Sequence, residues 1–151
     1  MINIDGVIVG NYRTSLSGMD LNRYWKSPSA IMFPEIKAIK KMARNFMKKR
    51  DVALYCDLHG HSRSRQVFMY GNECVENPFL TKLFPFIMSE LSPEFFEYKK
   101  CTFGKSYGKE GTGRVVMWKL LDIPAVYTLE ASLCGGKPDS SAPHFTPPVL
   151  E

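Results

Sequence analysis

The residues Val52 to Leu58 form a nearly continuous apolar run with β-branched and aromatic members, and the run ends in Asp57-Leu58-His59-Gly60-His61-Ser62. A short run of this kind reads as a buried strand. In α/β sheets the polar groups at the C-terminal strand ends are the usual builders of a site, so His59 and His61 stand where chemistry is expected. A satisfied structural histidine is the ordinary role for His59 taken alone. A second apolar strand, Ala125 to Ala131, starts after Pro124 and carries Glu130 inside Val126-Tyr127-Thr128-Leu129-Glu130-Ala131. A carboxylate in a buried strand is expensive unless it is paired or faces a cleft. A structural salt bridge and a catalytic base would each account for it.

The remaining elements follow from periodicity and turn residues. The opening Ile2 to Val9 is apolar, reads as a strand, and is interrupted by the turn dipeptide Asp5-Gly6. Asn11 to Lys26 is polar and reads as a long loop, a kind that is usually functional or disordered. Pro34 to Arg50 is the clearest helix, with Ile36, Ile39, Ala43, Phe46 and Met47 at helical spacing. Lys40, Lys41, Lys48 and Lys49 fall largely off that stripe and read as a solvated face. Gln66 to Tyr70 is a short strand ending at Gly71. Pro78 to Leu91 is a helix with Phe79, Leu80, Leu83, Phe86, Ile87 and Leu91 on one side and Pro85 as a kink. Gly113 to Leu121 is a further amphipathic helix. The order of elements predicts an α/β fold, a mixed β-sheet flanked by helices. Residues 1–135 carry that domain, and the Gly/Pro/Ser-rich residues 136–151 form an extended tail.

Composition narrows the function classes. With 151 residues, 44% of them hydrophobic, the chain can bury a globular core. No apolar run approaches the roughly 18 residues of a membrane span, and the first residues do not resemble a secretory leader. A cytoplasmic protein without a membrane partner is therefore expected. The net charge of +5 fits an acidic partner. No aromatic residues alternate with the lysines of the long helix, so a nucleic-acid surface is not expected. Cys56, Cys74, Cys101 and Cys134 contain no Cys-x-x-Cys pair and read as buried free thiols.

The polar loop adds Arg13, Asn22 and Arg23. A guanidinium can fork onto both oxygens of a carboxylate while an amide donates a further bond. More specific is a series of short patterns in order. They are Asn3-Ile4-Asp5-Gly6-Val7, Gly10-Asn11-Tyr12-Arg13, Gly18-Met19-Asp20-Leu21-Asn22-Arg23, Asp57-Leu58-His59-Gly60-His61-Ser62 with Val67-Phe68-Met69-Tyr70-Gly71, Lys109-Glu110-Gly111-Thr112-Gly113-Arg114, and Tyr127-Thr128-Leu129-Glu130-Ala131-Ser132. In this spacing they resemble the zinc metallocarboxypeptidases, in particular the cytosolic branch that trims glutamates from tubulin. The resemblance runs from about Asn3 to Gly135. It is weaker to a related family of zinc deacylases, whose motifs fit less well around Gly111 to Arg114.

The resemblance implies roles for single residues. His59 matches the third zinc ligand. Arg13 matches the arginine that polarises the scissile carbonyl. Asn22 and Arg23 match the pair that holds the substrate's terminal carboxylate, and Arg114 matches a position that binds an acidic side chain. Glu130 matches the general base. The resemblance also calls for a mobile site tyrosine, for which Tyr107, Tyr12 and Tyr127 are the candidates by sequence. Zinc would lower the pKa of its bound water toward about 7. Glu130 would take that water's proton and hand it to the leaving amine. Arg13 would offset charge on the carbonyl oxygen, a contribution of roughly 3–4 kcal/mol.

The family pattern also calls for an upstream His-x-x-Glu that supplies the first two zinc ligands. None occurs, and the only histidines are His59, His61 and His144. The expectation is therefore a partial catalytic domain with an incomplete zinc site. Such a chain would bind zinc weakly, hydrolyse nothing at a useful rate and self-associate through uncovered edges. The alternative is a catalytically dead relative that grips acidic C-terminal tails through Arg13, Arg23 and Arg114.

Overall fold

The computed structural model describes residues 1–104, 107–139 and 144–146. Most of the tail beyond residue 139 thus lies outside the described residues. The chain divides into two compact units, Met1–Ala53 with Ser106–Ile123 and Leu54–Lys105 with Pro124–Glu151.

The first unit holds helices α1 (Ile4–Ile8), α2 (Pro34–Met47) and α4 (Gly113–Leu121), with a single 3₁₀ turn at Leu21–Arg23. The opening segment is α1, not the strand expected there. The Asn3 side chain accepts from Gly6 N–H at 3.3 Å, which caps the first turn, and Asp5 sits where the helix dipole favours an acid. The Asn11 to Lys26 segment is more ordered than a loop of its composition suggests. Thr14 and Asp20 form an antiparallel bridge, and Leu21 and Trp25 are buried. The α2 helix stops at Met47 and buries Ile36 and Lys40. Lys40 was expected in solvent. Its Nζ instead donates to the carbonyls of Trp25 at 2.6 Å and Lys26 at 3.2 Å. Burial, and then the neighbouring Arg44, lower its pKa from the ordinary lysine value. A lysine stem supplies apolar contact while its head satisfies loop carbonyls, so the cation closes the polar segment over α2.

The second unit is a three-stranded mixed sheet in the order β1–β3–β2, with β1 at Tyr55–His61, β2 at Val67–Tyr70 and β3 at Val126–Ser132. β1 runs parallel to β3, and β2 runs antiparallel to it. β1 is not buried on both faces as its apolar run suggested. It is an edge strand, it starts at Tyr55, and Leu58 is 73% exposed. Met69, Phe96 and Tyr127 form the core beneath one sheet face, joined by Phe84 and Met88 of helix α3 (Pro78–Leu91).

Helix α3 turns a different side to the core from the expected stripe. Phe79, Leu80, Leu83, Phe86, Ile87 and Leu91 are all exposed, while Thr81 and Pro85 are buried. Pro85 explains the choice. It has no N–H to give to the carbonyl four residues back, which is that of Thr81. The Tyr127 hydroxyl donates to that carbonyl at 3.0 Å. A buried carbonyl without a partner is costly, so the helix presents its defect to the one strand residue able to repair it. Burial, with a smaller contribution from Cys56, raises the Tyr127 pKa to about 12.

The four thiols are free, but Cys134 is exposed and the other three are only half-buried. Burial, with Asp57 adding, raises the Cys56 pKa. For Cys101 burial is again the main cause, partly opposed by the Met69 N–H.

Candidate active site

The sheet sorts its side chains by parity. Neighbours in register share a face, and alternate residues along a strand change face. His59 pairs with Glu130, and Glu130 pairs with Phe68. One step earlier, Asp57 pairs with Thr128, which pairs with Tyr70; one step later, His61 pairs with Ser132. One face thus collects Asp57, His59, His61, Thr128, Glu130 and Ser132. The apolar core lies under the other face, with Met69, Tyr127 and Leu129. This face is polar along β1 and β3, because alternate residues from Asp57 and Thr128 onward are polar, and is flanked by Phe68 and Tyr70 of β2. That pattern is readable only once their register is known.

Within this face the His59 Nε2 lies 2.9 Å from Asp57 Oδ2, with side-chain exposures of 25% and 12%. Residues two apart on a strand share a face, so the pair needs no loop to assemble it. A carboxylate on one ring nitrogen fixes the tautomer and orients the ring, the arrangement metal-binding histidines use. Glu130, half-buried, occupies the central strand beside it.

In the first unit, Asp20 organises three of the expected site residues. Its Oδ2 lies 3.0 Å from Arg13 Nη2 and 3.6 Å from Arg23 Nη1. Its Oδ1 accepts from Asn22 N–H at 2.9 Å. The Asn22 side-chain oxygen accepts from Gly113 N–H, at 2.8 Å, on the first turn of α4. That bond uses the oxygen of the Asn22 amide, whose other end, the NH₂, is a donor. Both guanidiniums and the Asn22 backbone are therefore gathered around Asp20. Arg114 follows in the same turn of α4 and is 7% exposed. Gly111 lets the chain close up here, because its carbonyl accepts from Trp25 N–H at 3.0 Å and a Cβ on it would overlap the Arg23 carbonyl.

Asp20 was missed from sequence. Its signal was present as an Asp two residues before Asn22, a spacing that caps a turn through the Asn22 N–H. Of the three tyrosines, Tyr127 is buried at 0% exposure with its hydroxyl committed to Thr81, so it is not a mobile group. Tyr107 is fully exposed and Tyr12 is 83% exposed.

The donor set does not complete a zinc site. Among the described residues no three His, Cys, Asp or Glu groups come together to hold a metal, whereas a catalytic zinc takes three protein ligands. Titration of this 151-residue chain with zinc, read by equilibrium dialysis, is expected to give no stoichiometric binding below about micromolar zinc. A stoichiometric sub-micromolar site would contradict that count of ligands.

A scan against protein-family models finds no match for the chain. Among curated proteins, it is 44% identical to cytosolic carboxypeptidase 3 of Bos taurus, over 100% of the chain and 16% of that protein. It is 48% identical to cytosolic carboxypeptidase 2 of Xenopus tropicalis, over 97% of the chain and 15% of that protein. The chain thus spans about one sixth of the length of these relatives. Among solved structures, a metallo-carboxypeptidase from Burkholderia cenocepacia matches with a TM-score of 0.75 and 20% identity, covering 98% of this chain and 38% of that one. A metallo-carboxypeptidase from Pseudomonas aeruginosa, in complex with (2-guanidinoethylmercapto)succinic acid, matches with a TM-score of 0.69 and 29% identity, covering 87% of this chain and 35% of that one. No described helix is long and apolar enough to cross a membrane.

Proposed function

We propose that this chain, which belongs to the cytosolic carboxypeptidase branch of the metallocarboxypeptidases, is part of a catalytic domain that removes C-terminal residues from proteins. Glutamate-rich tails, those of tubulin among them, are its proposed substrates. The observation that carries this reading is the pairing of His59 with Glu130 on adjacent strands of one polar face. A metal-ligating imidazole and a general base need such proximity, because the base must reach the attacking water within hydrogen-bond distance.

Glu130 takes a proton from that water and returns it to the leaving amine. Arg13 stabilises the negative charge that grows on the scissile carbonyl oxygen. Arg23 and the Asn22 amide hold the free C-terminal carboxylate, which limits the enzyme to chain ends. Asp20 holds Arg13, Arg23 and Asn22 together, which supports their acting on one peptide end. Arg114 receives an acidic side chain. His59 supplies one metal ligand, and among the described residues no two further His, Cys, Asp or Glu groups join it to complete a set of three. The chain by itself binds acidic ends without cleaving them.

Comparing peptides with free and amidated C-termini tests the reading. The 151-residue chain should bind a glutamate-terminated peptide more tightly than its amide. Arg23→Ala should remove most of that difference, an effect of roughly 1.5–3 kcal/mol for a charge-assisted bond. Equal affinity for the two peptides would refute terminal-carboxylate recognition.

A further inference from the structure

Among the described residues of the second unit there are six Lys and Arg, and the acids outnumber them. Five of the six nevertheless stand along one rim. Arg63 and Arg65 lie in the turn between β1 and β2, Lys99 and Lys100 in the 3₁₀ turn at Tyr98–Lys100, and Lys137 just beyond β3.

Specific bonds link these segments. Lys100 Nζ donates to the Arg65 carbonyl at 2.8 Å, and Arg65 Nη1 donates to the Gly136 carbonyl at 3.1 Å. Lys137 Nζ lies 3.7 Å from Glu97 Oε2, and Glu97 Oε1 accepts from Lys99 N–H at 3.3 Å. The nature of the partners matters. A carbonyl satisfies a donor and fixes the side chain, but it does not cancel the charge. Arg65 and Lys100 are thus oriented while remaining cationic. Glu97 offsets one charge, and Glu94 and Asp139, nearby in sequence, leave a surplus of two on the rim.

The backbone beneath is rigid. Gln66 has φ of 66°, a conformation that costs a non-glycine residue roughly 1–2 kcal/mol. It is held by its N–H on Gly135 O at 2.8 Å, by Ser132 N–H on its own carbonyl at 3.1 Å, and by its amide on Glu94 O at 3.5 Å. Arg63 N–H and Ser64 N–H both donate to His61 Nδ1, at 3.2 and 3.0 Å, which closes the preceding turn.

We propose that this rim, centred on Arg65 and Lys100, is a docking surface for an acidic polypeptide segment, separate from the residues that grip the chain end. The proposal rests on the function above for its choice of partner. The rim also adjoins the ends of β1 and β3 that carry His59 and Glu130. Arginine forks and lysine ammonium groups both suit side-chain carboxylates. The acidic surroundings of the patch disfavour a long nucleic acid, whose charge would extend beyond five cations.

The test uses the 151-residue chain and a glutamate-rich peptide amidated at its C-terminus, followed by fluorescence anisotropy at low and high salt. The amide removes the carboxylate assigned to Asn22 and Arg23. Binding at the rim therefore persists if terminal-carboxylate recognition fails, and its response to the rim changes separates it from side-chain binding at Arg114. Arg65→Ala with Lys100→Ala should weaken binding roughly tenfold and flatten its salt dependence. Lys82→Ala, at the one cation off the rim among the described residues of the second unit, should change little. The single change Lys137→Gln, at an exposed position, should weaken binding in the same direction if the double variant fails to fold. Absence of binding, indifference to the rim changes, or tighter binding of an RNA of equal charge would each overturn the proposal.

Discussion

Gly111→Ala is expected to lower the melting temperature of this chain by roughly 6–12 °C, a loss of about 2–3 kcal/mol. The new methyl would overlap the carbonyl oxygen of Arg23, a backbone atom that no rotamer change can move aside. Relief requires the two segments to separate. That breaks the bond from Trp25 N–H to Gly111 O and draws Asn22 off Gly113 N–H. The damage therefore reaches the site as well as the fold, because Asn22 and Arg23 stand on the displaced segment. Gly104→Ala is the matched control: a Cβ there meets nothing within 4 Å, and its melt should stay close to wild type. Thermal melts of the two variants decide the matter. A Gly111→Ala protein melting within about 1 °C of wild type would mean that the close approach of residues 23 and 111 is not part of the folded state.

Much of the fold was legible, for reasons that can be named. Pro78 and Pro34 suit a first helical turn and mark where α3 and α2 begin. The start of β3 after Pro124 and the mixed α/β class also followed from local signals. The errors concern which side of an element faces inward. The apolar residues of α3 alone point to the wrong stripe, because Pro85 leaves a carbonyl that needs a donor, and only the partner strand reveals that Tyr127 supplies it. Lys40 was assigned to solvent by its charge, although two loop carbonyls more than ten residues away in sequence satisfy it. β1 looked doubly buried because its composition does not say whether it lies at an edge.

The candidate site divides in the same way. Chemistry alone singled out His59 and Glu130 as polar groups on apolar strands, but left their roles open. The family resemblance assigned those roles and supplied Arg13, Asn22, Arg23 and Arg114. Neither route found Asp57 or Asp20. Each becomes visible only as the partner of a group already under suspicion, at 2.9 Å from His59 and 3.0 Å from Arg13.

The most direct measurement concerns Glu130. In a protein that carries this segment within a complete catalytic domain, hydrolysis of a glutamate-terminated peptide is compared between wild type and Glu130→Gln. Glutamine keeps the shape of the side chain and one acceptor oxygen but cannot accept a proton from water at neutral pH. The expected result is a fall in kcat of roughly 10²–10⁴-fold with little change in peptide affinity or melting temperature. If cleavage of the same peptide continues within a few-fold of the wild-type rate, Glu130 is not the base, and the face it shares with His59 is not a peptidase centre.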